Sequence, residues 1–145
     1  MDDYQRQEEQ TAERPRRPQL LNILCILSFI GSGMSGASFL MVYSSYNEVI
    51  PALSEFAESF PGMEMLLTAG RGFFLTGFVL YFLSVIGVSL MWRMRKAGFH
   101  FYTGSQLMIL LLPLFYIEGY PLPFFDAVIT GLFIFLYSRF YKMFV

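Results

Sequence analysis

The chain has 145 residues, 55% of them hydrophobic and 19% aromatic, and only 14% carry a charge. A soluble domain usually has about 25% charged residues, and a soluble fold of this length has no way of hiding so much apolar surface. The single cysteine, Cys25, excludes an intrachain disulfide and any CxxC or Cys/His zinc spacing, and the net charge of −1 matters less than where the charges fall.

Residues 1–18 are charged, punctuated by proline and nearly free of aliphatic side chains. Such a segment buries too little to offset its ordering entropy, so it reads as a disordered cytoplasmic tail. The tail ends in Arg14, Arg16 and Arg17. These set the topology, and contact with anionic headgroups is their alternative use. Pro18 marks a helix entry, and the four-helix domain is expected over 19–145. The first membrane span is predicted over 19–43. Its apolar region is too long, and the charged tail before it too extended, for a cleaved signal peptide. Ser28, Ser32 and Gly36 recur every fourth residue, as do Gly33 and Ala37. This small-xxx-small pattern lets another helix approach closely. It predicts the tightest contact of the bundle at Gly36, with a pore or dimer face as the rival use.

Between Ser44 and Gly72, the residues Ile50, Leu53, Phe56, Ala57 and Phe60 recur at helical spacing with Ser54, Glu55, Glu58 and Ser59 between them. That pattern predicts a short amphipathic helix on the outer membrane surface or across the bundle mouth, ended by Pro61-Gly62. Met63 to Thr68 read as the first turns of the second helix, whose span is predicted over 68–92. Glu48, Glu55, Glu58 and Glu64 lack metal-ligand spacing and read as a solvated acidic face.

Two uncharged runs of about twenty residues then flank Arg93-Met94-Arg95-Lys96, which predicts a membrane hairpin with its turn in the cytoplasm. The second span carries Gly77, Ser84 and Gly87 and ends at Trp92, an interfacial residue. The third, predicted over 97–117, is the most polar. Gln106 lies near mid-membrane and is expected to face inward, paired with Tyr102 or a backbone carbonyl. Asn22 and His100 fall at similar depth near the cytoplasmic face, forming either a small polar site or a hydrogen bond to each other. Pro113 should kink the helix and free one backbone carbonyl. After a tight turn at Glu118–Pro123, the fourth span is predicted over 124–141. Asp126 sits in its first turn, where the helix dipole favours a carboxylate. Arg71 is the one basic residue outside, and it is expected to pair with Asp126 or, second, Glu118. Lipid phosphate is the alternative partner.

With both termini inside, nine of the ten Lys and Arg residues are cytoplasmic and only Arg71 is not. The positive-inside rule therefore predicts an N-in, C-in multi-pass protein. The fold class is all-α: an integral membrane, antiparallel bundle of four transmembrane helices with an outer amphipathic helix.

No G-x-S-x-G, P-loop or dinucleotide fingerprint occurs, and His100 is the only histidine. No catalytic, cofactor-binding or metal residue is assigned. The positions with polar or ion-pair potential are Asn22, Arg71, His100, Gln106, Glu118 and Asp126. The turn Trp92-Arg93-Met94-Arg95-Lys96-Ala97-Gly98-Phe99-His100-Phe101-Tyr102 resembles the W-x-x-R/K-K-x-G-F-x-x-Y junction between the middle helices of small uncharacterised bacterial four-helix integral membrane proteins. That resemblance implies an inner-membrane location and brings no activity with it. The expected function is non-enzymatic, as an accessory or structural subunit of a membrane complex. A small transporter or lipid-binding bundle with a polar site near Gln106 is the alternative. Expected partners are the lipid bilayer and another membrane protein or a second copy, not nucleic acid.

Overall fold

A computed structural model describes residues 17–145, so the expected disorder of the tail lies, but for Arg17 and Pro18, outside the described residues. The elements are α1 (Gln19–Ser44), α2 (Tyr46–Ala57), α3 (Met63–Thr68), α4 (Gly70–Trp92), α5 (Lys96–Tyr116) and α6 (Phe124–Phe140), followed by a 3₁₀ turn, Tyr141–Met143. No strand occurs among the described residues. Four helices, at Gln19–Ser44, Gly70–Trp92, Lys96–Tyr116 and Phe124–Met143, are long and apolar enough to cross a membrane. They are apolar on every side, not along one stripe. Large side chains such as Ile30, Met34, Phe82 and Phe135 stand more than half exposed. A helix of that kind needs a core or a lipid environment around it, which gives the chain membrane-protein character.

The helices α1, α4 and α5 pack around two apolar clusters. One joins Leu21, Leu24 and Cys25 of α1 to Val88, Met91, Tyr102 and Tyr137. The other gathers Phe73, Phe74, Leu80, Leu112 and Ile117 and is flanked by Phe39, Tyr46 and Ile50. The tightest contact is not at Gly36, where an added Cβ would lie 3.2 Å from the Cβ of Tyr81. An added Cβ at Gly77 would overlap the Phe39 ring of α1, and the closest backbone-to-backbone approach lies between α4 and α5. A methyl at Gly98 would come 2.5 Å from the Met91 amide nitrogen, and one at Gly87 2.6 Å from that of Tyr102. Here backbone meets backbone, so only glycine fits. Ser28, Ser32 and Gly36 do face inward, but Gly33 and Ala37 are exposed.

Two expectations about boundaries change. The segment Met63–Thr68 is a separate helix, because Gly70 adopts φ +76°, a left-handed conformation that interrupts the helical path before α4. The helix α2 contains Pro51 and ends at Ala57, short of the stop expected at Pro61-Gly62. It packs through Tyr46 and Ile50 while Phe56 stays exposed, as does Phe60 beyond its end.

The α4–α5 turn is closed by the last residues of the chain. Val145 donates to the Met94 carbonyl at 2.7 Å and its own carbonyl accepts from Lys96 at 3.1 Å. Phe144 is buried beside them. Met94 takes φ +61°, an uncommon conformation for a non-glycine residue, and this pairing helps to hold it. By contrast, α6 itself is loosely held. Only 6% of its apolar stretch is buried inside the protein, against 39% for α4.

Candidate functional site

One serine per helical turn places Ser28 and Ser32 on the inner face of α1, where both are buried. Ser28 Oγ lies 2.9 Å from Tyr137 Oη of α6 and 3.4 Å from Tyr102 Oη of α5. Ser32 Oγ lies 2.9 Å from Ser84 Oγ of α4. Gln106 Nε2 of α5 donates to that same Ser84 oxygen at 3.0 Å. Burying hydroxyls and an amide among apolar helices is costly unless each is paired. The result is two short polar ties, one turn apart along α1. The expected partner of Gln106 therefore changes. Tyr102 turns toward Ser28, and the amide reaches α4 instead.

Beside these ties, α6 stands off from the other helices and two cavities open. The first, about 190 Å³, is lined by Ser28, Ser32, Ser35, Tyr81, Tyr102, Gln106, Thr130 and neighbouring apolar residues. The second, about 210 Å³, is lined by Tyr81, Gln106, Ile109, Leu110, Pro113, Pro123, Asp126, Ile129 and Thr130. Both walls include Tyr81, Gln106, Ile129 and Thr130, so the cavities adjoin to form one polar groove along α6. Each has room for several waters or a small solute.

The helical spacing explains the lining. On α5, Gln106, Ile109, Leu110 and Pro113 stand at i, i+3, i+4 and i+7; on α6, Asp126, Ile129, Thr130 and Phe133 do the same. The α5 stripe has Gln106 at one end, and the α6 stripe has Asp126 at one end and Thr130 one turn further on. Pro113 has no N–H, so the Ile109 carbonyl lacks its usual helical donor. Because the Gln106 nitrogen is engaged, its Oε1 is left as an acceptor. The groove is thus rich in oxygen atoms: the Asp126 carboxylate, the Gln106 amide carbonyl and the hydroxyls of Ser28, Ser32, Ser35, Tyr81, Tyr102 and Thr130. Thr103 Oγ1 is buried without a hydrogen-bond partner, but it lines neither cavity.

The remaining candidate positions do not join this groove. Arg71 pairs with neither Asp126 nor Glu118. Its Nε donates to the Tyr43 carbonyl at 3.1 Å and its guanidinium stacks 4.7 Å from the Tyr43 ring. The reason lies in α1. The last carbonyls of a helix have no internal donor and carry the negative end of its dipole, which draws a cation. Glu118 is exposed in the turn before α6, beside Gly119 at φ +75°. The expected Asn22–His100 meeting does not form either. His100 Nε2 lies 3.3 Å from Tyr141 Oη, and the imidazole packs edge-on against Tyr141 and Phe99. Asn22 is half-buried on α1.

Sequence reasoning missed Tyr81, Ser35 and Thr130 as groove residues and noted Ser84 without naming a partner for it. Thr130 was detectable, since it follows Asp126 by one helical turn. Tyr81 was not, because nothing local marks which side of an all-apolar helix faces the groove. Among the described residues no three His, Cys, Asp or Glu side chains converge as a metal ion would require. Comparison with protein-family models, with curated proteins and with solved structures finds no match to this chain.

Proposed function

We propose that this chain is a small, non-enzymatic, multi-pass membrane protein that binds a small polar solute in the groove along α6, in the manner of a minimal transporter. In this reading α1, α4, α5 and α6 cross the bilayer as an antiparallel bundle of the inner membrane. Both termini and the Arg93–Lys96 turn are cytoplasmic in this reading, which the distribution of basic residues supports. The observation that carries the binding role is the pair of adjoining cavities that share Gln106 and end at Asp126. Polar groups at membrane depth are expensive, and they tend to face a bundle interior or a water-filled cavity. The acceptor-rich lining favours a hydrogen-bond-donating solute, neutral or cationic, over an anion.

The test uses a Cys25→Ser background carrying Thr130→Cys. A membrane-impermeant thiol reagent added outside intact cells should modify that cysteine, and millimolar concentrations of a matching solute should protect it. A residue inert from outside but reactive in detergent would overturn the groove reading. Reporter fusions at Ser59 and Met94 check the topology independently, with far-side and cytoplasmic signals expected in that order.

A second reading has its own support. The loosely held α6 presents Phe124, Phe125, Leu132 and Phe135 outward, each more than half exposed. An accessory subunit would set that face against another membrane protein or a second copy. Isolation in mild detergent distinguishes the two, since the accessory role requires a stoichiometric companion.

A further inference from the structure

A second, separate groove lies between α1 and α4, beside the basic turn. It encloses about 420 Å³ and is walled by Ile26, Phe29, Ile30, Ser89, Trp92 and Arg93. The three α1 residues stand at i, i+3 and i+4, so they form one continuous apolar strip. Ser89 does not make this wall polar, because its hydroxyl donates to its own helix at Val85 O, 2.9 Å away. Phe29 meets Trp92 edge-on, with ring centroids 6.3 Å apart. All the charge is gathered at one end. Arg93 lines the groove there, and Arg17 places its guanidinium 5.7 Å from the Trp92 ring centroid. The site is therefore amphiphilic, with Arg93, Trp92 and the Arg17 guanidinium stacked on it at one end and an apolar trough running away from them.

From this geometry we infer that the α1–α4 groove is a binding site for an anionic phospholipid. One acyl chain lies along Ile26, Phe29 and Ile30, and the phosphate is held by Arg17 and Arg93. The charge pattern selects this occupant over the rest of the bilayer. A zwitterionic lipid carries a cation on its headgroup that two guanidiniums repel, whereas an anionic lipid such as phosphatidylglycerol brings only charge they attract. Arginine suits the task because its planar fork grips phosphate oxygens while its face stacks on the indole. The inference rests on the membrane location proposed above but not on the α6 groove, with which this site shares no residue.

Trp92 is the only tryptophan of the chain, so its fluorescence reports this site directly. The purified protein is reconstituted in phosphatidylcholine vesicles with increasing fractions of phosphatidylglycerol, and brominated acyl chains are placed on one lipid at a time. Bromine quenches an indole it touches. Quenching by brominated phosphatidylglycerol should show a preference of about fivefold over phosphatidylcholine, as expected of one or two well-placed arginines. The preference should fall to near unity in the Arg17→Gln/Arg93→Gln protein and weaken at high salt. It should persist in Arg71→Gln, at the far end of α4. Equal quenching by the two lipids, or a preference that survives the double substitution, overturns the lipid site while leaving the membrane location intact. Absence of quenching by either lipid overturns both.

Discussion

The α4–α5 and α5–α6 contacts are made by helices of similar composition, yet one is closed to the backbone and the other is hollow. Between α4 and α5, Gly87 and Gly98 leave the crossing mostly to backbone atoms, and the main chains come close. Between α5 and α6 the facing stripes carry Ile109, Leu110, Ile129 and Phe133, whose bulk holds the helices apart. Bulky residues meeting bulky residues leave gaps that polar groups then line. The lesson concerns helices without a hydrophobic driving force between them. Where lipid is as apolar as leucine, small residues at the crossing decide which pairs close, and a helix that does not present them there is left on the outside.

The largest effect should come from breaking the closed side. Gly98→Val places new atoms against the Met91 amide and the Gly87 carbonyl, and neither can move aside. Overpacking of this kind costs about 3 kcal/mol or more. The protein should fail to accumulate or should melt far below wild type in detergent. At Gly77 the added atom would instead overlap the Phe39 ring, a side chain that can turn. Gly77→Ala is therefore expected to be the milder change, and equal losses at the two glycines would refute the distinction.

Next in size is the tie between the closed core and the groove. Ser84 is fully buried and bonds both Ser32 and Gln106. Ser84→Ala leaves both partners unsatisfied, which should cost about 1–2 kcal/mol in thermal unfolding. Gln106→Leu removes the amide itself and should cost below about 1 kcal/mol, while abolishing the solute protection of a cysteine at position 130. Protection that survives Gln106→Leu would exclude the amide from binding.

The open side should tolerate change. Gly131 on α6 has nothing within 4 Å of an added Cβ. Gly131→Ala is expected to be neutral or to stabilise by up to about 1 kcal/mol through helix propensity. A marked loss there would mean that a partner helix covers this face. The smallest effect is the coupling between Arg71 and Asp126. Because Arg71 is held by Tyr43, a double-mutant cycle of Arg71→Ala and Asp126→Ala should be additive within about 0.5 kcal/mol. Coupling above about 1 kcal/mol would restore the ion pair.

The sequence by itself determined the helices. Long apolar runs, separated by an acidic amphipathic segment, a basic turn and a proline-containing turn, leave the backbone no other way of satisfying its polar groups in an apolar environment. The four long helices accordingly begin and end close to where the apolar runs do. The inward face of α1 was readable only in part, because Ser28, Ser32 and Gly36 do mark it while Gly33 and Ala37, equally small, are exposed. Which helices pair most tightly was decided only by the tertiary structure. Gly36 and Gly87 look alike in sequence, but only Gly87 meets a second glycine across the contact, on α5. Partners were hidden for the same reason. A residue's neighbour on another helix depends on that helix's rotation, and a helix apolar on every side carries no signal that fixes its rotation. So Gln106 could be recognised as an inward amide while Ser84 went unnamed as its partner. Arg71 could be recognised as a cation needing an acceptor, yet its acceptor is the open carbonyl end of α1 at Tyr43. Composition sets what must be buried and where a helix can stop, but the fit between helix surfaces decides which groups meet.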